Sequence, residues 1–263
     1  MKSSDLFFLS TLWQELADAP AAECDTALRH CMGRLSSHIG ARNILWVSGR
    51  LYPERMAEHP MLGWQIQDVA YLHDGQRLLG LAGEVVERIN EGEEDQSAIA
   101  AARLAGQTWS HLRCELVDDD AWRNCWVIND VLAGERIGDR LSGSHSLPGC
   151  ESHFVLERGK DERPFGPRER DLLYYFLLGS KTFQRELLLS RGLLDAAHPL
   201  SPRERDVLKL LLTDASEKEV AQQLGIGYRT VHQHAQSIYS KLGVRGRWGL
   251  MAKWLRYRPE LTS

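Results

Sequence analysis

Between Ser216 and Gly243 the chain reads SEKEVAQQLGIGYRTVHQHAQSIYSKLG, two helical stretches parted by only Gly225, Ile226 and Gly227. Ser216 stands where an N-cap belongs and Glu219 follows three residues later, so a helix is expected from about Glu217 to Leu224. The two glycines predict a tight turn into the next helix. In that helix Val231, Ala235, Ile238 and Leu242 recur at i, i+4, i+7 and i+11 and form one apolar stripe, whereas Arg229, His232, Gln233, Gln236 and Ser240 take the opposite side. Two helices joined this closely form a helix-turn-helix. The polar side carries groups that read base edges, Gln for adenine and Arg for guanine or phosphate. The same side would also suit the wetted face of a plain three-helix bundle, and periodicity does not separate the two.

A repeated phrase frames this region. PRERD followed by an apolar run occurs at Pro167 and again at Pro202. In the second copy Ser201 caps, Pro202 sits in the first turn where its missing N–H costs nothing, and Glu204 completes a capping box. Gly166, Pro167 and Glu169 occupy those places in the first copy. Beyond the start the copies diverge: one continues as a long apolar helix to about Leu194, while the other stops at about Leu212. The repeat is a helix start used twice and does not mark a duplicated domain.

Charge separates the chain into two parts. The net charge is -4, yet residues 200–263 hold 11 Lys and Arg against 6 Asp and Glu, and residues 1–199 hold 21 against 30. A basic C-terminal quarter points to a polyanionic partner there and to another task elsewhere. The five cysteines are odd in number and lack a CxxC pair, so reduced, mostly buried thiols are expected, with no metal and no cofactor. No uncharged run approaches the roughly 20 residues of a membrane span. The acidic N-terminal helix lacks the basic lead of a signal peptide, and a cytoplasmic protein is expected.

Residues 200–250 resemble the DNA-binding domain of LuxR/FixJ/NarL-type transcription regulators. The likeness rests on the PRE helix start, SEKEVA at 216–221, Leu224-Gly225-Ile226, Thr230-Val231, His234 and Lys241-Leu242-Gly243-Val244-Arg245. It implies an all-α, four-helix helix-turn-helix domain whose third helix enters the major groove of double-stranded DNA and whose fourth supports a homodimer. It further implies base and phosphate contacts from His232, Gln233 and Gln236, with backbone support from Lys218, Arg229, Thr230 and Lys241. Members often carry Lys where this chain has His232 and Gln236, so a shallower salt dependence is expected, together with a pH response from His232 near its ordinary pKa of about 6.5.

After Val244 the chain is apolar on two sides, with Trp248, Met251 and Leu255 on one and Leu250, Trp254 and Tyr257 on the other. One side is expected to join the helix-turn-helix core and the first to meet a partner subunit; docking on the N-terminal domain is the alternative.

Residues 1–190 read as a mixed α/β domain. Helices are expected near 5–18 and 22–39, strands at NILWVSGRL and GWQIQDVAYL, helices at QRLLGLAGEVVERIN, QSAIAAARLAGQTWSHL and DDDAWRNCWVINDVL, and strands at LSGSHSL and CESHFVLERG. The last strand, turn and closing helix are similar to those of GAF-type sensory domains. The run of the closing helix through LLLSRGLL also resembles LuxR-type regulators with an uncharacterised N-terminal domain. Residues 191–199 are expected to be a linker and 200–263 the DNA-binding domain.

No acidic pair follows an opening strand, as a phosphoacceptor receiver requires. Measured from Trp46 or Trp64, the Tyr and Asp of an acyl-homoserine-lactone domain are missing, and no GxSxG, HExxH or phosphate loop is present. An enzyme is therefore not expected. Trp64, Tyr71, Trp109, Trp122 and Trp126 are candidates to line an effector pocket, with Trp46 and Phe154 as further aromatics; core packing is the plain alternative for each. The two readings left open are a small-molecule-responsive transcription regulator and a constitutive or partner-controlled DNA-binding protein whose N-terminal domain serves docking.

Overall fold

The computed structural model describes residues 2–73 and 75–255, so Tyr257 lies outside the described residues. The chain divides into two compact units: Met1–Leu16 with Arg29–Lys181, and Ala17–Leu28 with Thr182–Ser263.

The first unit is built on a five-stranded sheet of order β2-β1-β5-β4-β3, antiparallel at every pairing. Its strands are β1 (Asn43–Leu51), β2 (Trp64–Tyr71), β3 (Trp109–Leu112), β4 (Ile137–Leu147) and β5 (Cys150–Gly159). Its helices are α1 (Ser3–Ala17), the part of α2 (Cys24–Ile39) from Arg29 onward, α3 (Gln76–Glu91), α4 (Gln96–Leu104), the short α5 (Arg113–Leu116) and α6 (Asp119–Arg123), and α7 (Pro167–Gly179). Side chains alternate between the faces of a strand. Trp46 of β1 is fully buried opposite Phe154 of β5, which meets Phe176 of α7 edge-on at 5.6 Å. Leu45 and Val47 serve the other face and pack with Tyr71, Val155, Leu78, Ala82, Val127 and Ile128.

Three expectations for this unit need correction. The helix expected through QTWSHL ends at Leu104, where Ala105 takes an extended backbone and Gly106 has φ 93°; Trp109–Leu112 is instead an edge strand paired with β4. DDDAWRNCWVINDVL is not one helix but α6 followed by a single wide turn over Val127–Val131. The long helix expected from Pro167 to Leu194 is two, α7 and α8 (Lys181–Ser190), separated at Ser180 with φ -98° and ψ 26°.

The second unit contains α8, α9 (Pro202–Leu211), α10 (Glu217–Leu224), α11 (Tyr228–Lys241) and α12 (Arg247–Leu255), with residues 17–28. It differs from a cut at residue 190 in taking α8 and that N-terminal segment. Its core includes Leu189, Ala196, Leu200, Val207, Leu211, Val220, Val231, Ile238, Leu250 and Trp254, with Ala21 packed against it. Residues 191–199 are no slack tether: Leu193, Leu194 and Ala196 are buried, and the Ala197 N–H donates to the Lys241 carbonyl at 2.9 Å.

Candidate nucleic-acid interface and effector cavity

The sequence builds the reading helix by capping and a glycine turn. Ser201 and Glu204 close the box at α9, the Ser201 N–H donating to Glu204 Oε2 at 2.7 Å, and Ser216 with Glu219 does the same for α10. At the first PRERD copy only half of that device exists, the Gly166 N–H donating to Glu169 Oε2 at 2.9 Å. Gly225 ends α10 in the left-handed region at φ 64°, which glycine adopts without a Cβ penalty. Gly227 does not share that role: it starts α11 with an ordinary extended backbone, φ -68° and ψ 146°.

Val231, Ala235 and Ile238 of α11, and Leu242 at its C-cap, are all fully buried, as the stripe predicts. Lys218, Arg229, Thr230, His232, Gln233 and Gln236 are all exposed. Two of the candidate positions carry internal bonds. His232 Nδ1 lies 3.0 Å from Glu217 Oε2 and its ring stacks on Tyr228, itself half exposed. Lys241 is half-buried and donates to Glu204 Oε2 at 2.7 Å and to the Pro199 carbonyl at 3.2 Å.

Glu204 thus serves two elements, since Ser237 Oγ also donates to its Oε1 at 2.6 Å. Burial acts to raise its pKa, but Lys241, Ser237 and the Ser201 N–H overcome this and hold the carboxyl down at about 2. Arg247 supplies a further brace that no sequence pattern singled out. Its guanidinium donates to the carbonyls of Leu211 at 2.9 Å, Ala215 at 2.5 Å and Thr213, closing the end of α9 and the loop into α10.

The two sides of α12 separate as expected. Leu250 and Trp254 are buried in the helix-turn-helix core, while Trp248 is 91% and Leu255 79% exposed, with Met251 half-buried between them.

The α/β unit holds a cavity of about 170 Å³. Trp64, Tyr71, Trp109 and Trp122 line it, beside apolar groups such as Leu45, Ile66 and Val69. Trp126 does not: its indole N–H donates to the Glu94 carbonyl at 3.0 Å and the Arg88 guanidinium lies over its ring at 3.8 Å. Trp46 is core, its indole N–H given to Ser152 Oγ at 2.7 Å. Polar side chains also line it, among them Arg113, Arg140, Ser144, Glu151 and His153, none of which the sequence reading singled out. Burial, aided by nearby Arg140, lowers His153 to about 4; burial raises Tyr71 to about 12 and also raises Glu151. Among the described residues no cluster of three His, Cys, Asp or Glu could hold a metal ion, and no helix is long and apolar enough to cross a membrane.

Residues 198–253 match the family described as bacterial regulatory proteins, luxR family. The chain is 42% identical over 57 residues to the spore germination protein GerE of Bacillus subtilis, covering 22% of this chain and 77% of that one. It is 36% identical over 66 residues to the transcriptional regulatory protein MctR of Rhizobium johnstonii, covering 25% of this chain but only 31% of that one. A solved structure, SdiA in complex with octanoyl-rac-glycerol, aligns with 96% of this chain and 95% of its own at 13% identity and a TM-score of 0.49, a likeness too weak to carry an argument. The family match falls on α9 to α12, where the buried stripe and exposed polar face lie, and with most of GerE covered at this identity the chain belongs to the luxR family of bacterial regulatory proteins.

Proposed function

We propose that this transcriptional regulator senses a small molecule in its α/β unit and binds DNA as a homodimer through the exposed face of α11. The observation that carries the sensing half is the cavity, bounded by Trp64, Tyr71, Trp109 and Trp122 in a chain that also holds the helix-turn-helix. Concave, mostly apolar sites with a few polar groups are where small molecules bind. On this reading Arg229, His232, Gln233 and Gln236 meet bases and phosphates, Lys218 and Thr230 support them on the backbone, and Lys241 acts mainly by holding α11 to α9. The subunits meet through Trp248, Met251 and Leu255, which leave a large apolar area uncovered. A GAF-type origin for the α/β unit is part of the reading, supported by its antiparallel sheet with helices among the strands.

That same uncovered face favours a second reading, in which another protein sits on α12 and controls DNA binding. Native mass spectrometry of the full-length chain from its own host separates the two. A dimer carrying a reproducible small-molecule mass, lost in Trp64→Ala, supports the sensor. A chain bound to a protein partner and free of added small mass favours the second reading.

A further inference from the structure

On the exposed face of α11 the His232 ring is held from two sides. Its Nδ1 lies 3.0 Å from Glu217 Oε2, and the Tyr228 ring lies beside it with 6.3 Å between centroids and 21° between planes. Glu217 belongs to the first turn of α10 and exposes 24% of its side chain, against 50% for His232. The carboxylate is the more firmly seated of the pair. Among the described residues no protein group hydrogen-bonds the other ring nitrogen, Nε2.

The Glu217 contact fixes which nitrogen carries the hydrogen. An ionised carboxylate only accepts, so Nδ1 must donate to it. A neutral imidazole has one N–H, and giving it to Glu217 leaves Nε2 with a lone pair. His232 therefore turns an acceptor toward whatever meets the free edge of its ring. A lysine at this position would offer donors only, and so would the free edge of a doubly protonated histidine. In the major groove an acceptor has two complements, the N6 amine of adenine and the N4 amine of cytosine. Guanine presents acceptors at N7 and O6, and thymine an acceptor at O4 beside its methyl group.

We propose that Glu217 is a positioning residue for base readout: it holds His232 as the Nδ1–H tautomer, so that Nε2 accepts from an adenine or cytosine amine and rejects guanine. The proposal rests on the reading of α11 as the helix that enters the major groove and adds the class of base that one of its positions selects. Glu217 acts through the ring and touches no base.

Two measurements on the full chain at about pH 8, above the range in which histidine ordinarily takes its second proton, test it. The first needs no DNA. The imidazole nitrogen NMR shifts of His232, assigned by the signals missing from His232→Ala, are expected to show Nδ1 protonated and Nε2 bare. Glu217→Gln, whose amide can either accept from Nδ1 or donate to it, is expected to populate both tautomers. A bare Nδ1, or a ring protonated at both nitrogens, overturns the proposal.

The second selects bound duplexes from a pool with a randomised core. The position whose preference disappears in His232→Ala is expected to favour adenine or cytosine. Replacing that base with its analogue lacking the amine should weaken binding by wild type about 3- to 10-fold, the size of one hydrogen bond. Glu217→Gln is expected to admit guanine there while preferences at the other positions stand, and those standing preferences also report that the variant has folded. A wild-type preference for guanine, indifference of every position to His232→Ala, or an unchanged preference in Glu217→Gln overturns the proposal and leaves the DNA-binding reading intact. A chain that enriches no sequence overturns both.

Discussion

Glu204 carries more of the DNA-binding unit than its place in a helix cap suggests. It closes the α9 box, accepts Ser237 Oγ and pairs with Lys241, so one carboxylate fixes the distant half of α11 against the start of α9. Glu204→Gln keeps the shape but weakens the Lys241 pair; it is expected to cost about 1–3 kcal/mol at neutral pH. The carboxyl is held at about 2, below its ordinary value of 4.5, so its contribution is present above pH 4.5 and is lost as the pH falls toward 2. Denaturant titrations at pH 7 and near pH 2.5 check both points: the difference between wild type and variant should be clear at the first and small at the second. The capping role was legible from Ser201-Pro202-Arg203-Glu204, because a cap is a local matter. The bond to Lys241 was not, because 37 residues separate the partners and no periodicity links them.

The helix-turn-helix was the most legible element of the chain. Caps and glycines bound α10, and the stripe through Val231, Ala235, Ile238 and Leu242 told the buried side of α11 from the exposed one. Elements with weaker punctuation were misread. Gly179-Ser180 breaks an apolar run that has no Pro, and the sequence reading carried the helix across that glycine, so α7 and α8 looked continuous; WSHL is only four residues long, too short for its period to tell strand from helix. Trp126 was chosen for its aromatic ring, and sequence cannot tell a ring on the cavity from one beneath Arg88. The electrostatics of α11 yield a separate expectation. Each neutralised phosphate contributes about -0.9 to the slope of log K against log salt. Arg229→Gln should therefore flatten the slope measured by fluorescence anisotropy on an operator fragment by about one unit. Lys241→Gln should leave the slope nearly unchanged and lower the unfolding midpoint instead, because Lys241 is committed to Glu204. A slope change of one unit for Lys241→Gln would place it on the phosphates after all.

At the scale of the molecule, the unit that holds the helix-turn-helix is discontinuous in sequence. Asp25 belongs to it and pairs with Arg191 at 2.6 Å and with Lys209 at 2.5 Å. Burial works against its charge, and those two cations nonetheless hold its pKa at about 2. Asp25→Ala leaves the largely buried Arg191 without its carboxylate and is expected to destabilise the unit by about 1–3 kcal/mol. Thermal unfolding of the full chain should show the loss, and DNA binding should weaken only as far as the unit unfolds. Composition and charge pointed to two parts, yet a boundary drawn along the chain could not foresee that residues 17–28 would join the C-terminal part, since that grouping is set by tertiary packing around Ala21 and Asp25. The family match spans 198–253 and omits this segment. A recombination event with a single crossover, wherever it falls between residues 28 and 198, therefore carries off the reading helix without Asp25, and the receiving chain must supply its own counter-charge for Lys209 before the transplanted half is whole.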